Sequence, residues 1–279
     1  NSILGSRLRQ LEILLTELDE LVDKHGDERR THIDPMPLSM DREDLVEERA
    51  IVISLSEDNY IRHLPVEAFR VQNRGGKGLK GGATKDEDFP KSILTCFSKD
   101  RLLIFTDQGR VYGLKAWETP QGSRHSRGSH IRNLIEHLRE EEKVVTILPI
   151  SKEIQENPEG HYLIFATHEG IVKRTRLGEY TRINRNGKFA LKFKTDTDTL
   201  VAVREATDED HVVLVSKFGR ACRFKPSQTK ELADGSTGYT VKVQGRVTAG
   251  VRGMKLKDGD SVALIGFGTF SVSNRAART

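Results

Sequence analysis

The first 25 residues carry apolar side chains at the spacing of an α-helix. These side chains follow one another at intervals of four and three residues, which is the heptad spacing of a helical seam. The seam consists of Leu4, Leu8, Leu11, Leu15, Leu18 and Val22. A helix of about three heptads is marginal alone, so we expect it to pack on its own domain, on a second copy or on another part of the protein.

The helical pattern ends at His25 and Gly26. An acidic stretch that contains two prolines follows over residues 27–48 and is typical of a connector. The sequence therefore predicts an amphipathic helix at 1–26, an acidic linker at 27–48 and a main domain at 49–279.

From residue 49 onward, short runs of aliphatic and β-branched residues replace the helical pattern. Four runs that resemble one another begin four successive units, at 50–55, 92–97, 144–148 and 200–203. In three units a second apolar run follows and leads into a turn at a glycine: Gly109, Gly170 and Gly219. Asp58 and Asn59 take this place in the first unit, and Asn tolerates the positive φ that such hairpin turns require.

A period of about 50 residues with several short strands per unit is typical of propeller-like folds, whose small sheets bury their faces against their neighbours. The sequence therefore predicts an all-β ring of four complete blades, preceded by the N-terminal helix. A partial fifth blade is predicted to begin near Val251.

Charge is unevenly distributed along the chain. Residues 1–50 contain 7 Lys and Arg against 13 Asp and Glu, whereas the remainder contains 38 against 28. Basic residues recur in the connections after each unit, and repeat symmetry would gather them around one rim of the ring. For any one connection an ordinary solvated loop is the preferred explanation, but the recurrence in all four favours a rim that binds a polyanion, nucleic acid first.

The most distinctive local segment is 72–78, with the sequence QNRGGKG. Its glycines let the backbone approach a phosphate closely while Arg74 and Lys77 neutralise it. The segment lacks the G-x-x-x-x-G-K-[ST] pattern of a Walker loop, so nucleotide binding is not indicated and no cofactor is expected.

This segment resembles the Q-R-R-G-G-K-G box in the C-terminal domain of DNA gyrase A subunits. Further similar segments lie at 26–31, 60–65, 126–134 and 251–256. The resemblance covers about residues 1–262. It implies a β-pinwheel, a propeller-like ring whose blades exchange strands and which wraps double-stranded DNA around a positive perimeter. Such wrapping supports supercoiling by an ATP-dependent type II topoisomerase, so the expected partners are DNA, the A-subunit core and the ATPase subunit.

Carried over to this chain, the box corresponds to Gln72, Arg74, Gly75, Gly76, Lys77 and Gly78. The basic connections add further expected DNA contacts at Lys80, Arg124, Arg127, Arg132, Arg182, Arg185, Lys188, Arg246 and Arg252. Asn73 departs from the box, where the family usually has a basic residue, which predicts weaker wrapping. Topoisomerase IV subunits have degenerate boxes, and the close match here favours the gyrase type.

The resemblance also indicates parts of the family that this chain lacks. The helix at 1–26 resembles the end of the breakage-reunion domain, but no tyrosine stands in the context of that domain's DNA-cleaving tyrosine. The chain itself is therefore expected to be non-catalytic. Residues 262–279 resemble a hairpin of HU-type DNA-binding proteins, which is explained by a fusion remnant, an engineered end or a hairpin that completes the last blade.

Other chemistry has little support in the sequence. His125, His130 and His137 lack the Cys or carboxylate partners of a metal shell, so no metal is expected. Cys96 and Cys222 fall within strands and are interpreted as buried apolar residues, not as a disulfide framework. No apolar run approaches the ~20 residues of a membrane helix.

No secretory signal is recognised in the sequence, and we expect a cytoplasmic protein associated with a bacterial or organellar nucleoid. Three other function classes remain open. They are a propeller-type protein-interaction module, a topoisomerase IV-like DNA tether and, least favoured, a stand-alone enzyme.

Overall fold

The structure is a computed structural model that describes residues 3–27, 31, 42–69, 74, 88–123, 126–135, 137–231, 237–257 and 259–268. The chain divides into two units, residues 1–42 and 43–279. The predicted limits of the acidic linker remain a prediction.

The first unit contains helix α1 (Arg7–His25), as the heptad spacing predicted. No residue of α1 is buried. The apolar seam is exposed along its whole length, with Leu8 at 75% and Leu18 at 47% exposure.

The described part of the second unit is all-β apart from one short α-helix, α2 (Lys152–Glu156), and four 3₁₀ turns at Val66–Ala68, Ala116–Glu118, Ile131–Asn133 and Leu177–Tyr180. Within the described residues its strands are β1 (Ala50–Ser56), β2 (Tyr60–Pro65), β3 (Pro90–Phe97), β4 (Arg101–Thr106), β5 (Arg110–Lys115), β6 (Ser129–His130), β7 (Val144–Ile150), β8 (Tyr162–Thr167), β9 (Ile171–Arg176), β10 (Lys188–Phe189), β11 (Leu200–Ala206), β12 (His211–Ser216), β13 (Ala221–Phe224), β14 (Thr229–Glu231), β15 (Thr237–Tyr239), β16 (Val251–Arg252) and β17 (Val262–Gly268).

Four small antiparallel sheets follow one another along the chain, each built on a hairpin. Their strand orders are β3-β1-β2-β6, β10-β5-β4-β7, β11-β8-β9-β16 and β13-β12-β17, and β14 and β15 form a separate ribbon. The four hairpin turns contain residues with positive φ: Asn59 (61°), Gly109 (71°), Gly170 (81°) and Gly219 (79°). The predicted turn residues are therefore confirmed, Asn59 among them.

Side chains alternate along the hairpin strands and join consecutive sheets. In β4, Leu102 and Ile104 pack with Ile53 of the first sheet, whereas Leu103 and Phe105 pack with the third. The rings of Phe105 and Phe165 meet edge to face, with centroids 5.6 Å apart. A third apolar cluster joins the third sheet to the fourth. Because a period of two sends alternate residues to opposite faces, each middle sheet is buried on both sides, as in a propeller.

The predicted alignment of the repeats is wrong for the run at 50–55. This run forms β1, the first strand of a hairpin, and is equivalent to β4, β8 and β12. The runs at 92–97, 144–148 and 200–203 instead lie in strands that flank the preceding hairpin, as when Leu94 of β3 pairs with Ile53 of β1. Both kinds of strand are short buried runs, so their residue types do not distinguish them.

The propeller-like class with four sheets is confirmed, but the segment predicted to begin a fifth blade belongs to earlier sheets. Val251 and Arg252 pair with β9 of the third sheet. β17 pairs with β12 and completes the fourth sheet, so the first part of the HU-like segment is a blade strand. Residues 269–279 lie outside the described residues.

Candidate nucleic-acid interface

Three two-residue strands, β6, β10 and β16, each complete a sheet that begins far earlier in the chain. His130 pairs with Tyr60, Phe189 with Arg110, and Arg252 with Ile171. Each of these strands lies at a sheet edge and follows the hairpin of the next sheet. We call β6, β10 and β16 the exchange strands, since each blade contributes one to its predecessor, as the family resemblance implied.

The segments that lead into the exchange strands run along β2, β5 and β9. We call residues 121–123 with 126–128, 181–187 and 241–250 the exchange loops. Their main chains bond to the hairpins at equivalent places: Gly122 N–H donates to His63 O (3.0 Å), Gly113 N–H to Asn184 O (3.3 Å), and Gln244 N–H to Arg174 O (2.8 Å). The three loops therefore occupy equivalent positions on three consecutive sheets.

A glycine with positive φ joins each exchange loop to its strand: Gly128 (83°), Gly187 (71°) and Gly250 (82°). At Gly250 a Cβ atom would lie 2.6 Å from the carbonyl oxygen of Val172, closer than real Cβ atoms approach. Both the backbone conformation and the tight approach to β9 therefore require glycine there.

Part of the predicted DNA-contacting set cannot be compared with the structure. Gln72, Gly75, Gly76, Lys77, Gly78, Lys80 and Arg124 lie outside the described residues. Arg74 is described and exposed. The role of the 72–78 box remains a prediction from the resemblance.

On the first sheet, Arg127 lies at the end of the exchange loop. Its guanidinium carbon is 3.5 Å from the centroid of the Tyr60 ring, and its Nη2 is 3.7 Å from Asp58 Oδ2. Arg132 lies beyond the exchange strand, where its Nη1 is 3.5 Å from Glu140 Oε1. Both arginines are ion-paired, but Arg127 belongs to the exchange loop, whereas Arg132 lies outside it.

On the second sheet, Arg182 and Arg185 lie in the exchange loop and Lys188 lies in the exchange strand β10, all three exposed. Arg185 forms an ion pair with Glu118, and Lys188 Nζ donates to the carbonyl of Arg182 at 3.1 Å. Sequence reasoning missed Arg110, whose guanidinium carbon lies 5.4 Å from the Phe189 ring centroid and adds another cation at this edge.

On the third sheet, Arg246 is half-buried in the exchange loop and Arg252 is exposed in the exchange strand β16. The backbone N–H of Arg246 donates to Glu179 Oε2 at 3.2 Å. The structure therefore brings Arg127, Arg182, Arg185, Lys188, Arg246 and Arg252 to equivalent edges of three consecutive sheets.

Three further cations, Arg62, Arg101 and Lys173, lie beneath the exchange loops and were missed from the sequence. Arg62 is 5% exposed and Lys173 is fully buried, whereas Arg101 is half-buried. Burial lowers the pKa of Lys173 to about 7 and also lowers the pKa of Arg62. One feature of the sequence could have revealed Arg62 and Lys173. Each lies three positions after its hairpin-turn residue, Asn59 or Gly170, in a strand that is otherwise mostly buried.

The fold and this edge define a class: a strand-exchanging, propeller-like domain with cations on equivalent loops of successive blades. Comparison with known proteins agrees. The family model described as "DNA gyrase C-terminal domain, beta-propeller" matches residues 50–94, 100–151, 161–206 and 236–265, more than half of the chain. The chain belongs to this family.

Individual relatives show how far the similarity extends. The DNA gyrase A subunit of Staphylococcus epidermidis (strain ATCC 12228 / FDA PCI 1200) is 42% identical over 253 residues, which cover 90% of this chain and 26% of the relative. The chain thus spans about a quarter of the length of the curated relatives that it matches.

Two solved structures share the fold. The C-terminal domain of DNA topoisomerase IV has a TM-score of 0.62 and 26% identity, covering 81% of this chain and 63% of that one. The DNA gyrase A C-terminal domain has a TM-score of 0.57 and 25% identity, covering 78% and 64%.

Proposed function

We propose that the second unit binds double-stranded DNA along the exchange loops and bends it around the successive blades. The observation that carries this proposal is the repetition of the basic exchange loop on three consecutive sheets. A single basic loop is ordinary on a protein surface, but equivalent loops on sheets packed in series present phosphate-binding groups at regular intervals.

The recognition is electrostatic and tolerant of sequence. Lys188 and Arg252 lie on exchange strands with exposed side chains, suited to phosphate oxygens. Smooth bending of 20–30 base pairs costs on the order of 1–6 kcal/mol, which contacts at several blades and counterion release together offset. Affinity and bending therefore both decrease as salt rises.

Membership of the family supports a proposal for the biological setting. We propose that the chain acts as the DNA-wrapping part of a gyrase-type A subunit, together with an A-subunit core and an ATPase subunit, at a bacterial or organellar nucleoid. In this arrangement the domain performs no chemistry and presents a bent DNA segment to the rest of the enzyme. Arg74, Lys77 and the rest of the 72–78 box are proposed to add phosphate contacts to the first blade's connection. Among the described residues, no helix has the length and apolar character needed to cross a membrane.

A bending assay tests the proposal. A duplex of about 40 base pairs, labelled at its two ends with a donor and an acceptor dye, is titrated with the protein at several salt concentrations. We expect the ends to approach one another on binding and to separate again as salt rises. Tight binding that leaves the ends apart would contradict bending, and no binding would contradict the proposal as a whole.

A second candidate is a protein-binding propeller. The observation that favours it is an apolar pair on β3, where Ile93 and Phe97 are 63% and 51% exposed and point to the same face of the strand. This candidate predicts that DNA binding is weak and insensitive to salt, so the same titration distinguishes the two.

A further inference from the structure

Buried or half-buried cations reach from the hairpins into the exchange loops in each of the first three sheets. In the first sheet, Arg62 of β2 donates from Nη1 to the carbonyl of Ser123 at 2.9 Å and also to the carbonyl of Ser126. Its Nε donates to Ser54 Oγ at 3.2 Å, which fixes the side chain on the sheet. Ser126 directly precedes Arg127, so Arg62 holds the main chain at the base of that residue.

The third sheet uses a lysine for the same purpose. Lys173 of β9 donates from Nζ to the carbonyl of Ala190 at 2.7 Å and to the carbonyl of Arg246. Its Nζ also lies 5.2 Å from the centroid of the Phe165 ring. Both the protonated and the neutral amine have at least two N–H donors, so the two carbonyl bonds can form in either charge state.

The second sheet reaches the same result from a different strand. Tyr112 of β5 occupies the position equivalent to Arg62 and Lys173, three residues after the hairpin turn. Its hydroxyl donates to Glu142 Oε2 at 2.9 Å and not to an exchange loop. Here Arg101, at the start of β4, donates from Nη2 to the carbonyl of Ile183, which lies two residues before Arg185. Different residues therefore make equivalent bonds to three exchange loops.

These bonds matter because the exchange loops are irregular. Buried carbonyls outside a strand ladder need donors, and charged donors make the strongest hydrogen bonds. A phosphate contact in turn requires the outer cation to stand at the correct distance from the duplex. Loss of the inner donor would release the loop without removing any outer charge.

We propose that Arg62, Arg101 and Lys173 are positioning residues that hold the exchange loops so that Arg127, Arg185 and Arg246 contact DNA phosphates. This inference rests on the proposed DNA-bending function. It separates two layers of cations, an outer one that contacts phosphate and an inner one that acts through the main chain.

A double-mutant cycle tests the inference on the full chain. Lys173→Met keeps the aliphatic stem and removes the donor, and Arg246→Gln removes the outer charge. Each variant and the double variant are assayed for end-to-end DNA bending and salt dependence, well below their own melting temperatures. Lys152→Met, at an exposed position on α2, makes the same chemical change away from the exchange loops and is the matched control.

We expect Lys173→Met to reduce bending as much as Arg246→Gln does, and the double variant to lose no more than either one. Between about 50 and 200 mM salt, the fold decrease in DNA affinity should be about 3.5 times smaller for each single variant than for the unmodified chain. This factor corresponds to the loss of one phosphate contact. A purely structural role would lower the melting temperature and leave these readouts unchanged. Unchanged bending in folded Lys173→Met, or losses that add in the double variant, would overturn the inference.

Arg101 is half-buried, so Arg101→Met with Arg185→Gln gives the same cycle if Lys173→Met does not fold. Failure of the inference is distinguishable from failure of the proposed function. If the unmodified chain does not bend DNA, the proposed function is wrong. If the unmodified chain and folded Lys173→Met or Arg101→Met bend DNA equally, only the positioning inference is wrong.

Discussion

Removal of the exposed cations on the exchange strands should weaken the salt dependence of DNA binding by a calculable amount. Lys188 in β10 and Arg252 in β16 are exposed, and within the part of the chain that the structure describes neither forms an ion pair. A phosphate that replaces water at these side chains has no carboxylate to displace. Arg132, by contrast, lies outside the exchange loops and strands, in the turn that follows β6.

The slope of log K against log salt changes by about 0.9 for each phosphate neutralised. We therefore expect Lys188→Gln and Arg252→Gln each to reduce the magnitude of the slope by about 0.9, and the double variant by about 1.8. Arg132→Gln, the matched control, should change it little because Arg132 lies beyond the exchange strand β6 and outside the exchange loops. Fluorescence anisotropy titrations at several salt concentrations measure these slopes. Equal slope losses in all three single variants, or none in any, would refute the assignment of DNA contacts to the exchange strands.

Three further predictions concern the framework that carries this edge. Gly250→Ala forces a Cβ against Val172 O at positive φ and should lower the free energy of unfolding by about 1–3 kcal/mol in urea titrations. Gly160→Ala, also at positive φ but with open space around it, should lower it less. Burial lowers the pKa of Lys173 to about 7, although the nearby charge of Glu179 acts to raise it. Between about pH 7 and 10 the unfolded chain therefore binds more protons than the folded chain. Stability should therefore rise with pH across this window, relative to Lys173→Met, and a parallel pH profile of the two proteins would contradict the burial argument. Tyr112→Phe removes the donor to the buried Glu142 carboxylate and should lower stability by about 1.5–3 kcal/mol in thermal denaturation, whereas an unchanged melting temperature would show that this bond contributes nothing.

Much of the second unit could be predicted because its signals are local. Hairpin turns need positive φ, so Asn59 and the turn glycines, each between two apolar runs, mark the turns in the sequence. Basic residues in the connections are equally visible. The heptad spacing of α1 likewise depends only on residues within the same helix.

Strand exchange could not be predicted from local pattern. Ser129 and His130 pair with residues about seventy positions earlier, and a two-residue strand has no periodicity of its own. The run at 50–55 was aligned with the wrong class of strand for a related reason, since flanking and hairpin strands are both short and apolar. Only the family resemblance pointed to exchange between blades.

The inner cations were missed because a lysine or arginine in a short strand is ordinarily interpreted as facing solvent. Lys173 is fully buried, with its ammonium bonded to the carbonyl of Arg246 in the exchange loop and to the carbonyl of Ala190, which follows β10. That arrangement depends on tertiary packing, which sequence spacing does not encode. The exposed cations of the candidate site could therefore be predicted from the sequence. The inner cations that hold the exchange loops could not.

A topology assay tests the central claim most directly. Relaxed circular plasmid is incubated with the protein and a nicking-closing topoisomerase over a salt series, and the linking-number distribution is separated on two-dimensional gels. DNA that follows the successive exchange loops on a path of one handedness traps a fixed linking difference, so we predict a shift of one sign that disappears as salt rises. Binding without any shift in linking number would contradict wrapping and leave a DNA tether of the topoisomerase IV type.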